Sequence, residues 1–104
     1  MEYLKGRKVK NMNKYESIII VNPCLKDVEI EKLREKIQNL IKENGKFESI
    51  EDLGIKRLAY EIRKNNEGHY IIFNFESNSD FIVELERVYR INDDILKFIV
   101  VRKD

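Results

Sequence analysis

Apolar residues recur along this chain in two rhythms, at every second position in some stretches and at every third or fourth in others. Tyr15 to Val21 is a β-branched run stopped by Asn22-Pro23, the pattern of a strand ended by a turn. Ile30, Leu33, Ile37, Leu40 and Ile41 then fall at helical spacing, with charges between them. Asp27 is placed to cap this helix near Val28, Glu29 and Glu31 suit its first turn, and Gly45 is placed to end it. Phe47 to Leu53 and Ile55 to Ile62 read as one long bulged strand or a strand pair, and Asn65-Asn66-Glu67-Gly68 as a turn. His69 to Glu76 alternates, with Ile71, Phe73 and Phe75 on one side and Tyr70, Ile72 and Asn74 on the other. Ser77-Asn78-Ser79 introduces a second helix whose stripe is Phe81, Leu85 and Val88, flanked by Ile82 and Tyr89. Asn92-Asp93-Asp94 is a turn, and Ile95 to Arg102 a last strand.

The order strand, helix, strand, strand, helix, strand predicts an α+β fold: a ferredoxin-like βαββαβ sandwich with two helices on one face of a four-stranded antiparallel sheet. Right-handed crossovers put the first and third strands in the centre. Phe73, Phe75 and Phe98 are expected to face the helices with Ile19, Val21, Ile71 and Val100. Parity then sends Ile18, Ile20, Tyr70, Ile72, Lys97, Ile99 and Val101 to the open side, more aliphatic surface than a monomer leaves in water. Unless a bulge shifts that parity, another protein or an RNA covers the face. Ile18, Ile20, Tyr70, Ile72, Ile99 and Val101 are therefore the candidate partner-binding residues.

Length and charge narrow the classes. The chain has 104 residues, enough for one domain with one core. Charged residues make up 38% of it, yet the net charge is +1, which argues against a general coat for DNA and leaves only the distribution of charge to support nucleic-acid binding. Residues 1–11 stand apart, with Lys5, Arg7, Lys8 and Lys10 and little periodicity. They read as a flexible basic arm, or as residues added by an upstream start codon to a domain spanning 12–104. Cys24 is the only cysteine, which excludes an internal disulfide and a cysteine zinc site, and it reads as a small apolar residue after a turn. No apolar run approaches a membrane span and no signal pattern opens the chain, so a cytosolic protein is expected.

Enzyme chemistry finds little support. His69, the only histidine, has no partner set at a recognisable spacing, and the pairs Glu51-Asp52 and Asp93-Asp94 read as caps of turn amides. No glycine-rich phosphate loop is present, and no cofactor or metal is expected. An RNA-recognition motif shares the element order, but its third strand carries a Lys/Arg-Gly-aromatic stacking motif. Here that strand reads Glu67-Gly68-His69-Tyr70-Ile71-Ile72-Phe73, and the stacking platform is missing. What remains is a set of cations from strand edges and the end of the second helix: Lys14, Lys56, Arg57, Arg63, Arg87, Arg90, Lys97 and Arg102 are the candidate RNA contacts.

One stretch is unusual in setting two adjacent cations in a hydrophobic strand: Gly54-Ile55-Lys56-Arg57-Leu58-Ala59-Tyr60-Glu61-Ile62. Strand alternation puts Leu58, Tyr60 and Ile62 on one face, with Leu58 and Ile62 anchored to the helix-covered core, and Arg57, Ala59, Glu61 and Arg63 on the other. Together with Met12-Asn13-Lys14-Tyr15-Glu16, Asn22-Pro23, Glu67-Gly68-His69-Tyr70, Arg90-Ile91-Asn92-Asp93-Asp94-Ile95 and Val100-Val101, it resembles the family of the sixth protein of the bacterial small ribosomal subunit, in family order from Met12 to Lys103. The resemblance implies the same ferredoxin-like fold. It also implies a structural role in the small subunit without catalysis or cofactor, on the central domain of the small-subunit ribosomal RNA, as a heterodimer with ribosomal protein S-eighteen. It offers an owner for the open sheet face. Leu53 stands where many members carry tryptophan and Glu61 where some carry proline, and the acidic tail of some relatives is missing. The competing reading is a ferredoxin-like oligomerisation or small-molecule sensor module that uses the open face for self-association.

Overall fold

Strand β1 (Asn13–Val21) buries Tyr15, Ser17, Ile19 and Val21 on one side and leaves Ile18 and Ile20 half-buried on the other. The structure, a computed structural model, describes residues 12–103 together with a short antiparallel backbone pairing of Tyr3–Leu4 with Arg7–Lys8. The expected basic extension otherwise lies outside the described residues.

After β1, Asn22 closes the turn by accepting from the Cys24 N–H through its side chain at 2.9 Å. Helix α1 (Asp27–Asn44) follows. Its cap position is Lys26, one residue earlier than the sequence suggests, because the backbone stays extended there and Glu29 reaches back to accept the Lys26 N–H at 2.9 Å. Asp27 instead lies in the first turn, where its charge still suits the helix dipole. Ile30, Leu33, Ile37 and Ile41 form the buried stripe. Strands β2 (Gly45–Ile62) and β3 (Asn65–Ser77) make one long hairpin.

The hairpin turn is not at Asn65–Gly68. It is formed by Arg63 and Lys64, whose φ values of 48° and 66° are those of a tight two-residue turn matched to strand twist. Asn65 to Gly68 belong to β3. Two non-glycine residues in left-handed backbone are costly, so Lys64→Gly is expected to raise stability by about 1 kcal/mol in urea unfolding. A lowered midpoint would show that the Lys64 side chain contributes more than its backbone costs.

Helix α2 (Ser79–Ile91) is capped by Asn78, whose Oδ1 accepts the Phe81 N–H at 3.0 Å, and it buries Phe81, Leu85 and Tyr89. Strand β4 (Ile95–Arg102) completes the sheet, whose order is β2-β3-β1-β4 with every pairing antiparallel. The first and third strands are central, and the ferredoxin-like architecture stands as expected. Between sheet and helices, Tyr15 stacks on Phe75 with centroids 5.8 Å apart, and Phe81 meets Phe75 edge-on at 6.1 Å. Ser17 and Tyr89, both without exposed surface, share a hydrogen bond of 2.5 Å inside this core.

The opposite face carries Ile18, Ile20, Tyr70, Ile72, Lys97, Ile99 and Val101, as the registers Ile18↔Ile72, Ile18↔Ile99, Ile20↔Tyr70, Ile20↔Lys97 and Glu16↔Val101 require. One strand reading is corrected. Register shifts in β2 between Phe47 and Ser49, Asp52 and Gly54, and Arg57 and Ile62 break its simple alternation. Leu58 is buried on the open face against Ile20 and Gly68, and half-buried Ile62 lies on the same face, so neither anchors to the helix-covered core; Tyr60 is 61% exposed.

Candidate partner and nucleic-acid interface

The open face has two halves of different chemistry. In one, Asn74 is nearly fully buried with its amide satisfied. Its Nδ2 donates to Ser49 Oγ and Glu51 Oε2, both at 3.1 Å, and its Oδ1 accepts from Lys103 Nζ at 3.0 Å. A buried amide with all these partners fixes the β2–β3 register beside the Phe47/Ser49 bulge.

The other half is apolar and partly roofed. Beyond Arg57↔Glu67 the next pair is Ile62↔Asn65, so four residues of β2, Leu58 to Glu61, stand against Asn66 alone. This bulge curls the hairpin end across the sheet, as excess residues on one strand do. Tyr60 reaches Lys97, whose Nζ donates to the phenol oxygen at 2.7 Å and sits 5.3 Å from the ring centroid. Arg63 Nη1 donates to the Asp93 carbonyl at 3.0 Å. Since β2 and β4 are opposite edges of the sheet, the Tyr60–Lys97 bond ties its edges together over the central strands, and the Arg63–Asp93 bond joins the hairpin turn to the turn before β4. Beneath lies a cavity of ≈ 280 Å³, lined by Ile18, Ile20, Leu58, Tyr60, Tyr70 and Ile99 among others. Four of the six candidate partner residues (Ile18, Ile20, Tyr70 and Ile99) thus meet in one cavity, while Ile72 and Val101 lie outside it on the same face.

The candidate RNA cations do not form one patch. Lys14, Lys56 and Lys97 lie on the open face by register, Lys56 opposite Gly68 and Lys97 opposite Ile20. Arg57 pairs in register with Glu67 on the helix side, and Arg63 occupies the hairpin turn. Arg87 is engaged by Glu84 at 2.6 Å and 3.2 Å on exposed α2, and Arg90 covers the Phe98 ring at 5.8 Å. Arg102 is opposite Tyr15 on the helix side.

Sequence reasoning missed one polar cluster. His69 Nε2 lies 2.6 Å from Asp52 Oδ1, and Arg34 of α1 approaches the same carboxylate at 3.7 Å. Asp52 also accepts the Gly54 N–H at 2.9 Å, so its reading as a cap of a backbone amide holds. Only the shifted β2 register brings these groups together, which is why no linear spacing announces them. Partial burial opposes ionisation of Asp52, but the hydrogen bonds from His69 and Gly54 and the His69 and Arg34 charges outweigh it and hold the carboxyl below its usual value of 3.8. A carboxyl depressed in the folded state adds stability above its unfolded value and loses it as the pH falls through the folded one. Urea unfolding at descending pH is therefore expected to show a smaller acid loss for Asp52→Asn than for the parent chain, and equal losses would assign no linkage to this pair. Among the described residues, no group of three or more His, Cys, Asp or Glu is placed to hold a metal ion, and no helix is long and apolar enough to cross a membrane.

Comparison with known proteins bears on this surface. A family model described as ribosomal protein S6 matches residues 14–102. The small ribosomal subunit protein bS6 of Helicobacter acinonychis is 43% identical over 94 residues, which cover 89% of this chain and 66% of that protein. The chain thus spans just under two thirds of that relative. Against the bS6 protein of Caldanaerobacter subterraneus subsp. tengcongensis it is 40% identical over 94 residues and covers 99% of the relative. The crystal structure of 30S ribosomal protein S6 from Thermotoga maritima superposes with a TM-score of 0.84 at 34% identity, over 88% of each chain.

Proposed function

The chain belongs to the ribosomal protein S6 family of the small ribosomal subunit, and from that premise we propose that it binds the central domain of the small-subunit ribosomal RNA jointly with ribosomal protein S-eighteen. In this reading it is a structural protein, not an enzyme, and works in the cytoplasm bound to the ribosome. The folded unit is residues 12–104, and residues 1–11 are a basic extension to it.

The observation that carries the proposal is the apolar half of the open sheet face. Ile99 and Val101 are 48% and 44% exposed beside half-buried Ile18, Ile20, Tyr70 and Ile72. Such a surface suits a protein partner better than RNA alone, because phosphates are held by cations and the cations here are scattered. A joint binder resolves this: the partner takes the apolar face, and the two proteins present one basic surface to RNA. The test is filter binding of central-domain RNA by the chain alone and with purified ribosomal protein S-eighteen. We expect weak binding alone and at least tenfold tighter binding together. Equal affinity in both cases would remove the joint mechanism. Light scattering that finds a stable homodimer and no heterodimer would favour the oligomerisation module instead.

A further inference from the structure

The cavity under the hairpin end opens to solvent, and apart from Lys97 its lining is uncharged and almost all apolar, so the fold leaves apolar surface in water here. The hairpin end is fixed above it. Tyr60 and Arg63 are fixed by their bonds to Lys97 and Asp93 on the far side, while Leu58 packs down onto Ile20. Gly68 is what allows that close approach, because a Cβ there would lie 2.3 Å from Ile20 Cγ2 and 3.4 Å from Leu58 Cδ2.

We propose that this cavity is a socket for one aliphatic or aromatic side chain of a protein partner, with a carboxylate beside that side chain pairing with Lys97. The proposal rests on the reading that a partner protein covers the open face, and it names the chemistry of the contact. Apart from Lys97, the residues lining the cavity are uncharged and almost all apolar, so what enters must be apolar. The one charge at the rim is a cation, and its complement is an acidic neighbour of the anchoring residue. A second copy of this chain fits poorly. A two-fold interface through this face would set the Lys56 and Lys97 side of one copy against the same side of the other. A stacked RNA base also fits poorly, because the Tyr60 ring already carries the Lys97 ammonium. An apolar residue seated in a pocket at the centre of a polar-rimmed patch is the usual form of an interface hot spot.

The test uses the full chain and ribosomal protein S-eighteen in titration calorimetry, with two variants. Ala59→Phe adds a ring at a residue lining the cavity, and Lys97→Glu reverses the rim charge. The expected result is at least tenfold weaker binding for Ala59→Phe with an unchanged thermal midpoint. For Lys97→Glu, about tenfold weaker binding is expected, with reduced salt dependence. Folded variants that bind like the parent chain would overturn the socket while leaving the partner reading intact. A parent chain that binds no partner would overturn both. Self-association lost in Ala59→Phe would assign the cavity to a second copy and reject the acidic partner.

Discussion

Gly45→Ala is expected to be among the most damaging single-atom changes in this protein. A Cβ built at Gly45 would sit 2.1 Å from the Glu76 carbonyl oxygen and 2.9 Å from Ser77 Cβ. The nearer obstacle is backbone of the paired strand, so no rotamer change relieves it, and α1 cannot shift without moving its packed stripe. Overpacking of this kind costs about 3 kcal/mol at the upper end of its usual range. The other tight glycine is a useful contrast. At Gly68 the obstacle is the Ile20 side chain, which has some freedom to yield, whereas at Gly54 no atom lies within 4 Å and only the φ of +76° resists substitution. Urea unfolding of the three alanine variants should rank Gly45 as the most destabilising. A Gly45→Ala loss below that of Gly54→Ala would mean that the helix-to-strand junction moves freely.

The second large effect concerns the Ser17–Tyr89 pair inside the core. Removing the Tyr89 hydroxyl in Tyr89→Phe leaves the Ser17 hydroxyl buried without its partner, a cost of about 1–3 kcal/mol. Ser17→Ala strands the phenol in the same way. In the double variant both polar groups are gone, and it should be more stable than the sum of the two singles predicts. Additive losses would show that the bond is not what couples these sites. The pair also sets an alkaline limit. Burial pushes the Tyr89 phenol well above its usual value of 10.0, against the smaller opposing effect of the Ser17 bond. A phenol raised in the folded state contributes stability that is present below the unfolded value and is lost as the pH rises above it. The parent chain should therefore weaken above pH 10 through a component that Tyr89→Phe lacks.

The period-two and period-3.6 patterns were legible wherever each element buries one face without interruption. β3 shows this best: Ile71, Phe73 and Phe75 are fully buried, as their alternation requires. Both helices and the central placement of β1 follow from the same logic. The pattern fails in β2, where each register shift reverses which parity faces the core; Gly54, with its φ of +76°, marks one shift, while no residue type declares the other two. Leu58 consequently changed sides. The hairpin turn was hidden because Asn65 to Gly68 has turn composition while Arg63-Lys64 has none, and the left-handed backbone there is imposed by the pairing around it. The His69–Asp52–Arg34 cluster and the Tyr60–Lys97 bond are products of that same strand, so both were beyond linear reading. The apolar residues of the open face were legible individually. Their assembly into a cavity was not, because its roof is the bulge.

The central position of β1 has a consequence for the order of events during synthesis. β1 is made first among the sheet strands, yet one of its two neighbours is β4, the last of them, with Tyr15 opposite Arg102 and the Lys103 N–H donating to the Lys14 carbonyl at 2.8 Å. A nascent chain can close the β2–β3 hairpin and dock β1 against it while still attached, but one edge of β1 stays unpaired until β4 has left the exit tunnel. The sheet is thus completed by its most distant pairing, and the slowest contact to form is the one that brings the two ends of the domain together.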